Sequence, residues 1–290
     1  MTTAWHYREG MRSSLSARAV PASRSMRRPA RFGGWLTRPR LWAACGIAGP
    51  ALFTAAWVVA SLRQTGHAAT EVQLSGLAAV DARDPQIMIG GFIGLGACSL
   101  AFGAALGQLA GSRAGSRAGS GAGSRAGSCA GSRAVSRAGS RAGCGARPRA
   151  GPKAAGPWLV KCAGAAAIAA GLFRRDHVLL VGPGFAGESW HNQVHDVVSG
   201  IAYAAMIAAP LVLARDFRGD PDWAAVSRAM QVLALISAVA LVLFASRAVE
   251  PWNGTVQRLA VTLPLAAEML AAVRMLGLCR DSPPACHDPL

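Results

Sequence analysis

Residues 229–248 read AMQVLALISAVALVLFASRA, and nothing from Ala229 to Ser246 carries a charge. As a helix this run rises about 30 Å, the depth of a bilayer's hydrocarbon core. An uncharged helix of this length predicts a transmembrane span. Working outward, five more stretches have the same character: Leu41–Leu62, Gln86–Ala110, Pro157–Phe173, Val194–Ala214 and Val256–Leu278. The third is rich in Ala and Gly and carries Lys161, whose ammonium reaches the nearby basic linker by snorkelling. The sequence therefore predicts an all-α membrane protein, a six-transmembrane-helix bundle. Gly90, Gly91, Gly94, Gly96, Gly103 and Gly107 would weaken a soluble helix, but in lipid they allow neighbouring helices to approach closely.

Charge and hydropathy fit this reading only because they are segregated. The chain has 290 residues, 52% of them hydrophobic and 15% charged, with a formal charge of +16 and a mean hydropathy of +0.31. Residues 1–40 hold nine Arg against one acid, and residues 111–156 hold eight Arg and one Lys, so the rest is close to neutral. The first segment reads as a disordered basic tail. The second contains ten tetrads of the form Gly-Ser-Arg-Ala over 111–150, a period that fits neither helix nor strand, and reads as a flexible linker. With helices 1 and 2 in 41–110, helices 3 to 6 in 157–278 and a tail at 279–290, one side of the bundle collects 23 of the 30 basic residues. The positive-inside rule places that side, and both termini, in the cytoplasm of a multi-pass protein of the cell membrane. The Leu41–Leu62 run is too long for a cleaved signal's apolar region.

The same segregation sets the expected partners. The lipid bilayer is the first, and anionic headgroups meeting the basic tail and linker are the second. The Arg repeat has no aromatic side chain to stack on a base, so no nucleic-acid partner is expected. Of the seven cysteines, Cys129 and Cys144 replace repeat residues, Cys45, Cys98 and Cys162 lie in spans, and Cys279 and Cys286 lie in the tail. No disulfide is expected on the oxidising side.

Many of the remaining ionisable residues fall at the opposite, outward ends of the helices. Ser75, Asp81 and Asp84 lie in the first outer loop, Arg174, Arg175 and Asp176 in the second, and Glu250, Gln257 and Arg258 at the third. In Ser189-Trp190-His191-Asn192-Gln193-Val194-His195-Asp196, a Ser189 cap would set His191 and His195 one turn apart, a spacing suited to one metal ion. With Asp176 they make a candidate zinc set, and Ser75 and Asp196 are candidate catalytic groups orienting water or substrate. Gln257-Arg258 opens the sixth helix, where a cation opposes the helix dipole, so Arg258 is expected to pair with Glu250 or Asp196. Glu268 is a titratable group near mid-bilayer, where an unpaired charge costs at least about 2.5 kcal/mol.

Read in order, Gly46-Ile47-Ala48-Gly49-Pro50, Ser75-Gly76-Leu77-Ala78-Ala79, Gly171-Leu172-Phe173 with Asp176, His191 with His195-Asp196, and Gln257-Arg258 form a pattern. In it the chain resembles the bacterial integral membrane proteins of the domain of unknown function 998 family. That resemblance implies six helices with a polar outward cluster and brings no activity with it. Three roles follow from the residues. One is a metal-dependent membrane-embedded hydrolase acting on a lipid or interfacial substrate, a layout loosely similar to the ceramidase and progestin-receptor-like superfamily. Another is a small proton-coupled transporter using Glu268, and the last is a noncatalytic partner whose outer polar groups hold the bundle together.

Overall fold

The computed structural model describes residues 37–66, 68–122, 154–178, 189–250 and 252–281, apart from the side chains of 37–39, 112–122, 280 and 281. Six α-helices follow one another: α1 Thr37–Arg63, α2 Pro85–Ala122, α3 Ala155–Leu172, α4 Trp190–Phe217, α5 Ala224–Ser246 and α6 Asn253–Asp281. All six are long and apolar enough to cross a membrane. The shortest, α3, has 18 residues and rises about 27 Å, just enough for the hydrocarbon layer. Their outer faces are apolar. On α5, Val232, Leu235, Ile236, Val239 and Val242 stand exposed along one side, Val242 by 66%. In water, each such side chain would forgo about 1.5–3 kcal/mol of burial, whereas lipid solvates it at no such cost. The protein is a multi-pass membrane protein.

α2 is longer than expected. Its helix continues through the first three tetrads to Ala122, where the sequence reading began a disordered linker at 111. Extending a formed helix adds a hydrogen bond for each residue fixed, and Ala and Arg favour it enough to carry Gly and Ser along. The rest of the repeat and both expected tails up to residue 36 and from 282 lie outside the described residues.

Two apolar clusters stack along the bundle. Phe102, Leu106, Leu213, Phe217, Trp223 and Met230 belong to the one nearer the α4–α5 turn. There Trp223 is fully buried and stacks on Phe217 at 4.2 Å. Phe53, Leu74, Leu77, Met88, Leu95 and Val178 belong to the other, beneath the α1–α2 and α3–α4 loops. Close helix contact is concentrated where the glycines lack room for a side chain. A Cβ on Gly164 of α3 would lie 2.7 Å from the Gly96 carbonyl of α2, while Gly90 and Gly94 have nothing within 4 Å. Pro264 removes the N–H that the Ala260 carbonyl would accept from. Ser237 of α5 donates to that carbonyl instead, at 2.6 Å.

Candidate functional site

At one end of the bundle the α1–α2 and α3–α4 loops are stitched to the helices by hydrogen bonds. The α1–α2 loop turns inward: Val72 to Ala79 are all buried, with a 3-10 turn at Gly76–Ala78. Main-chain bonds tie it to its neighbours, from Val80 N–H to the Arg175 carbonyl at 2.9 Å and from Thr255 N–H to the Thr70 carbonyl at 3.2 Å. Arginines close the remaining gaps. Arg174 donates to the Ala78 and Ala79 carbonyls at 3.3 and 3.1 Å. Arg175 is 5% exposed and donates to Gln73 Oε1 at 2.8 Å, Ser75 Oγ at 3.5 Å and Asn192 Oδ1 at 3.4 Å. Asp196 Oδ1 lies 3.9 Å from its Nε. Arg174 thus caps main-chain carbonyls that a loop over a bundle leaves without partners, while the Arg175 fork gathers side-chain oxygens from the α1–α2 loop and α4.

Arg258 corrects a second expectation. It pairs neither with Glu250, which is exposed, nor with Asp196. It donates to the Ala69 and Val72 carbonyls at 2.7 and 2.9 Å and to Ser61 Oγ at 3.0 Å, and lies over Trp57 at 5.4 Å. Carbonyl dipoles from the loop offset the unfavourable helix-terminus field without a carboxylate. Its neighbour Gln257 accepts from Leu74 N–H at 2.6 Å and donates to Tyr203 Oη at 2.8 Å.

The candidate metal ligands His191, His195 and Asp176 sit in three different settings. Ser189 caps α4 as expected, accepting from Asn192 N–H. His191 is exposed and packs on Trp190, ring centres 3.7 Å apart. His195 is 1% exposed, and its Nδ1 faces the carbonyls of Ala170 at 3.0 Å and Phe173 at 2.7 Å. Carbonyls only accept, so Nδ1 carries the hydrogen and Nε2, buried with no partner among the described residues, is left as the acceptor. Asp176 receives the Ser189 hydroxyl at 2.6 Å and its N–H at 2.8 Å. Among the described residues no three His, Cys, Asp or Glu side chains are grouped to hold a metal. Asp81 receives Val178 N–H at 2.8 Å and meets His177 at 3.3 Å, and Asp84 pairs with Arg63 at 2.7 Å.

The two Ser189 hydrogen bonds hold the Asp176 carboxyl below the usual aspartate range. The stability this contributes is complete above the unfolded value near 3.9 and disappears as pH falls through the lower folded value. Melting of wild type and Asp176→Asn in detergent is therefore expected to differ at neutral pH and to converge at acid pH. A gap that stays constant down to acid pH would refute this assignment.

Glu268 stands apart from these stitches. Its carboxylate accepts from Ser99 Oγ of α2 at 3.1 Å, and among the described residues it makes no ion pair. It lines a cavity with Phe102, Val160, Met206, Pro210, Met230 and Pro264, drawn from five helices. Cys98 of α2 lies near it, with Cys45 of α1 beside Cys98. Gln73 and Tyr203 are among the polar residues not singled out in the sequence. Gln73 sits in the apolar run 72–79, where burial and hence pairing follow, and Tyr203 is one of only two tyrosines, with a mid-helix hydroxyl that demands a partner.

The family described as "Protein of unknown function (DUF998)" matches residues 138–274, which contain α3 to α5 and most of α6. No curated protein and no solved structure matches the chain.

Proposed function

From the premise that residues 138–274 of this chain match the DUF998 family, we propose that it is a small proton-coupled transporter in which Glu268 carries the proton. One observation bears the weight of the reading: a carboxyl within a membrane span faces a cavity at the meeting of five helices, bonded to a serine hydroxyl and to no cation among the described residues. A buried carboxylate costs several kcal/mol unless a proton or cation joins it, which makes such a group a carrier of positive charge across lipid. The polar end groups have a different task in this reading. They spend their hydrogen bonds on the loop main chain and on one another, and act as a noncatalytic framework that seals the bundle. The hydrolase reading has less support, because Ser189 takes up the Asp176 carboxylate, main-chain carbonyls take up His195 Nδ1, and zinc has no set of three described ligands to join. The basic excess near the termini sets that side in the cytoplasm, against anionic headgroups of the cell membrane.

Infrared spectroscopy of the full chain in liposomes tests the proposal. Against the contribution of the other carboxyls, a carboxylic-acid C=O band that grows and fades as the bathing pH is changed is expected in the wild-type minus Glu268→Gln difference spectrum. A difference spectrum with no such band would end the reading.

A further inference from the structure

A second cavity lies nearer the stitched loops, lined by Ser75 of the α1–α2 loop, Phe92 and Leu95 of α2, Ala167 and Ala170 of α3, Ser199, Ala202, Tyr203 and Met206 of α4, and Val261 of α6. Met206 also lines the Glu268 cavity. The two linings continue each other turn by turn: Leu95 leads to Phe102 past Ser99 on α2, Ala167 to Ala163 on α3, Ala202 to Ala209 on α4, and Val261 to Glu268 past Leu265 on α6. One seam thus runs between α2, α3, α4 and α6. Each cavity has room for a water or two, and Met206 stands between them.

From this alignment we infer that the two cavities are successive parts of one proton path from the loop end of the bundle to Glu268, with the Met206 side chain as its barrier. The inference rests on the proton-carrier reading of Glu268. Hydroxyls mark the path on both sides of the barrier. Tyr203 accepts from Gln257 at 2.8 Å and keeps its own hydrogen to give, Ser75 and Ser199 line the same cavity, and Ser99 meets the carboxylate beyond. The barrier is suited to opening, because methionine is unbranched and turns about three bonds without a polar group to pair. Pro210, one turn beyond, also lines the Glu268 cavity and lacks the N–H that the Met206 carbonyl would accept from, leaving that carbonyl as a further acceptor. The step itself is simple. A water O–H bond breaks as a carboxyl O–H bond forms on Glu268, the water regains a proton from the next water, and release reverses both. Among the described residues, Cys98 on α2 is a titratable group near Glu268.

The test follows the carboxyl band after a rapid pH jump. Met206→Ala is expected to speed its response about fivefold or more, and Met206→Phe to slow it by a similar factor, with the band's full amplitude unchanged. Ala202→Leu fills only the cavity nearer the loops and is expected to slow the response as well, which guards against a Met206 variant that fails to fold. Unchanged rates in all folded variants, with the band intact, would place access to Glu268 elsewhere and overturn the path while leaving the carrier standing. A wild type without the band would remove the carrier and the path together.

Discussion

Arg175→Met is expected to lower the melting temperature in detergent more than any other substitution among the outer polar residues. The guanidinium is 5% exposed and serves Gln73, Ser75 and Asn192 at once. Removing it leaves Gln73 with neither amide group paired, since its Nε2 is already buried without a partner. It also leaves Asp196 without the cation 3.9 Å away. Hydrogen bonds to a charged group contribute about 1.5–3 kcal/mol each, while the half-exposed Asp196 adds little to the loss. At about 2–4 °C per kcal/mol, the loss is a drop of roughly ten degrees. Arg175→Lys keeps the charge but replaces a planar fork by one point donor, so it is expected to recover less than half of the loss. A melting temperature within about one degree of wild type in Arg175→Met would mean that the loops are held by their apolar residues alone.

The hydropathy of the six runs made the bundle legible because a span is written in consecutive residues. Ser189 as the cap of α4 was legible for the same reason, since a cap and the amide it receives are only three residues apart. The partners of Arg258 were not. Ala69, Val72 and Ser61 are separated from it by nearly 200 residues, and carbonyls carry no side-chain signature, so the sequence pointed to the nearest carboxylates. The same limit hid the purpose of His195: the spacing to His191 suggested a shared metal, yet what fixes its ring is the main chain of α3 and the residue that follows it. Glu268 could be singled out as a misplaced charge, but Ser99 and Met206 could not be assigned to it before five helices were brought together.

Gly164→Leu is the second large effect expected, and it separates glycines that the sequence makes look alike. A Cβ there would sit 2.7 Å from the Gly96 carbonyl, 3.1 Å from Leu100 N and 3.2 Å from Ser99 Cβ. Two of those atoms are main chain, so α2 and α3 must move apart. Overpacking of this kind costs about 1–3 kcal/mol for smaller insertions, and more where backbone cannot yield. Since Ser99 is the residue that donates to Glu268, the displacement is expected to shift the frequency of the carboxyl band as well as lower the melting temperature. Gly90→Ala supplies the contrast. With nothing within 4 Å of the added methyl and a better helix former in place, it is expected to leave the band unmoved and to stabilise by up to about 1 kcal/mol. Equal losses at the two positions would mean that the α2–α3 contact does not hold the carboxyl's partner in place.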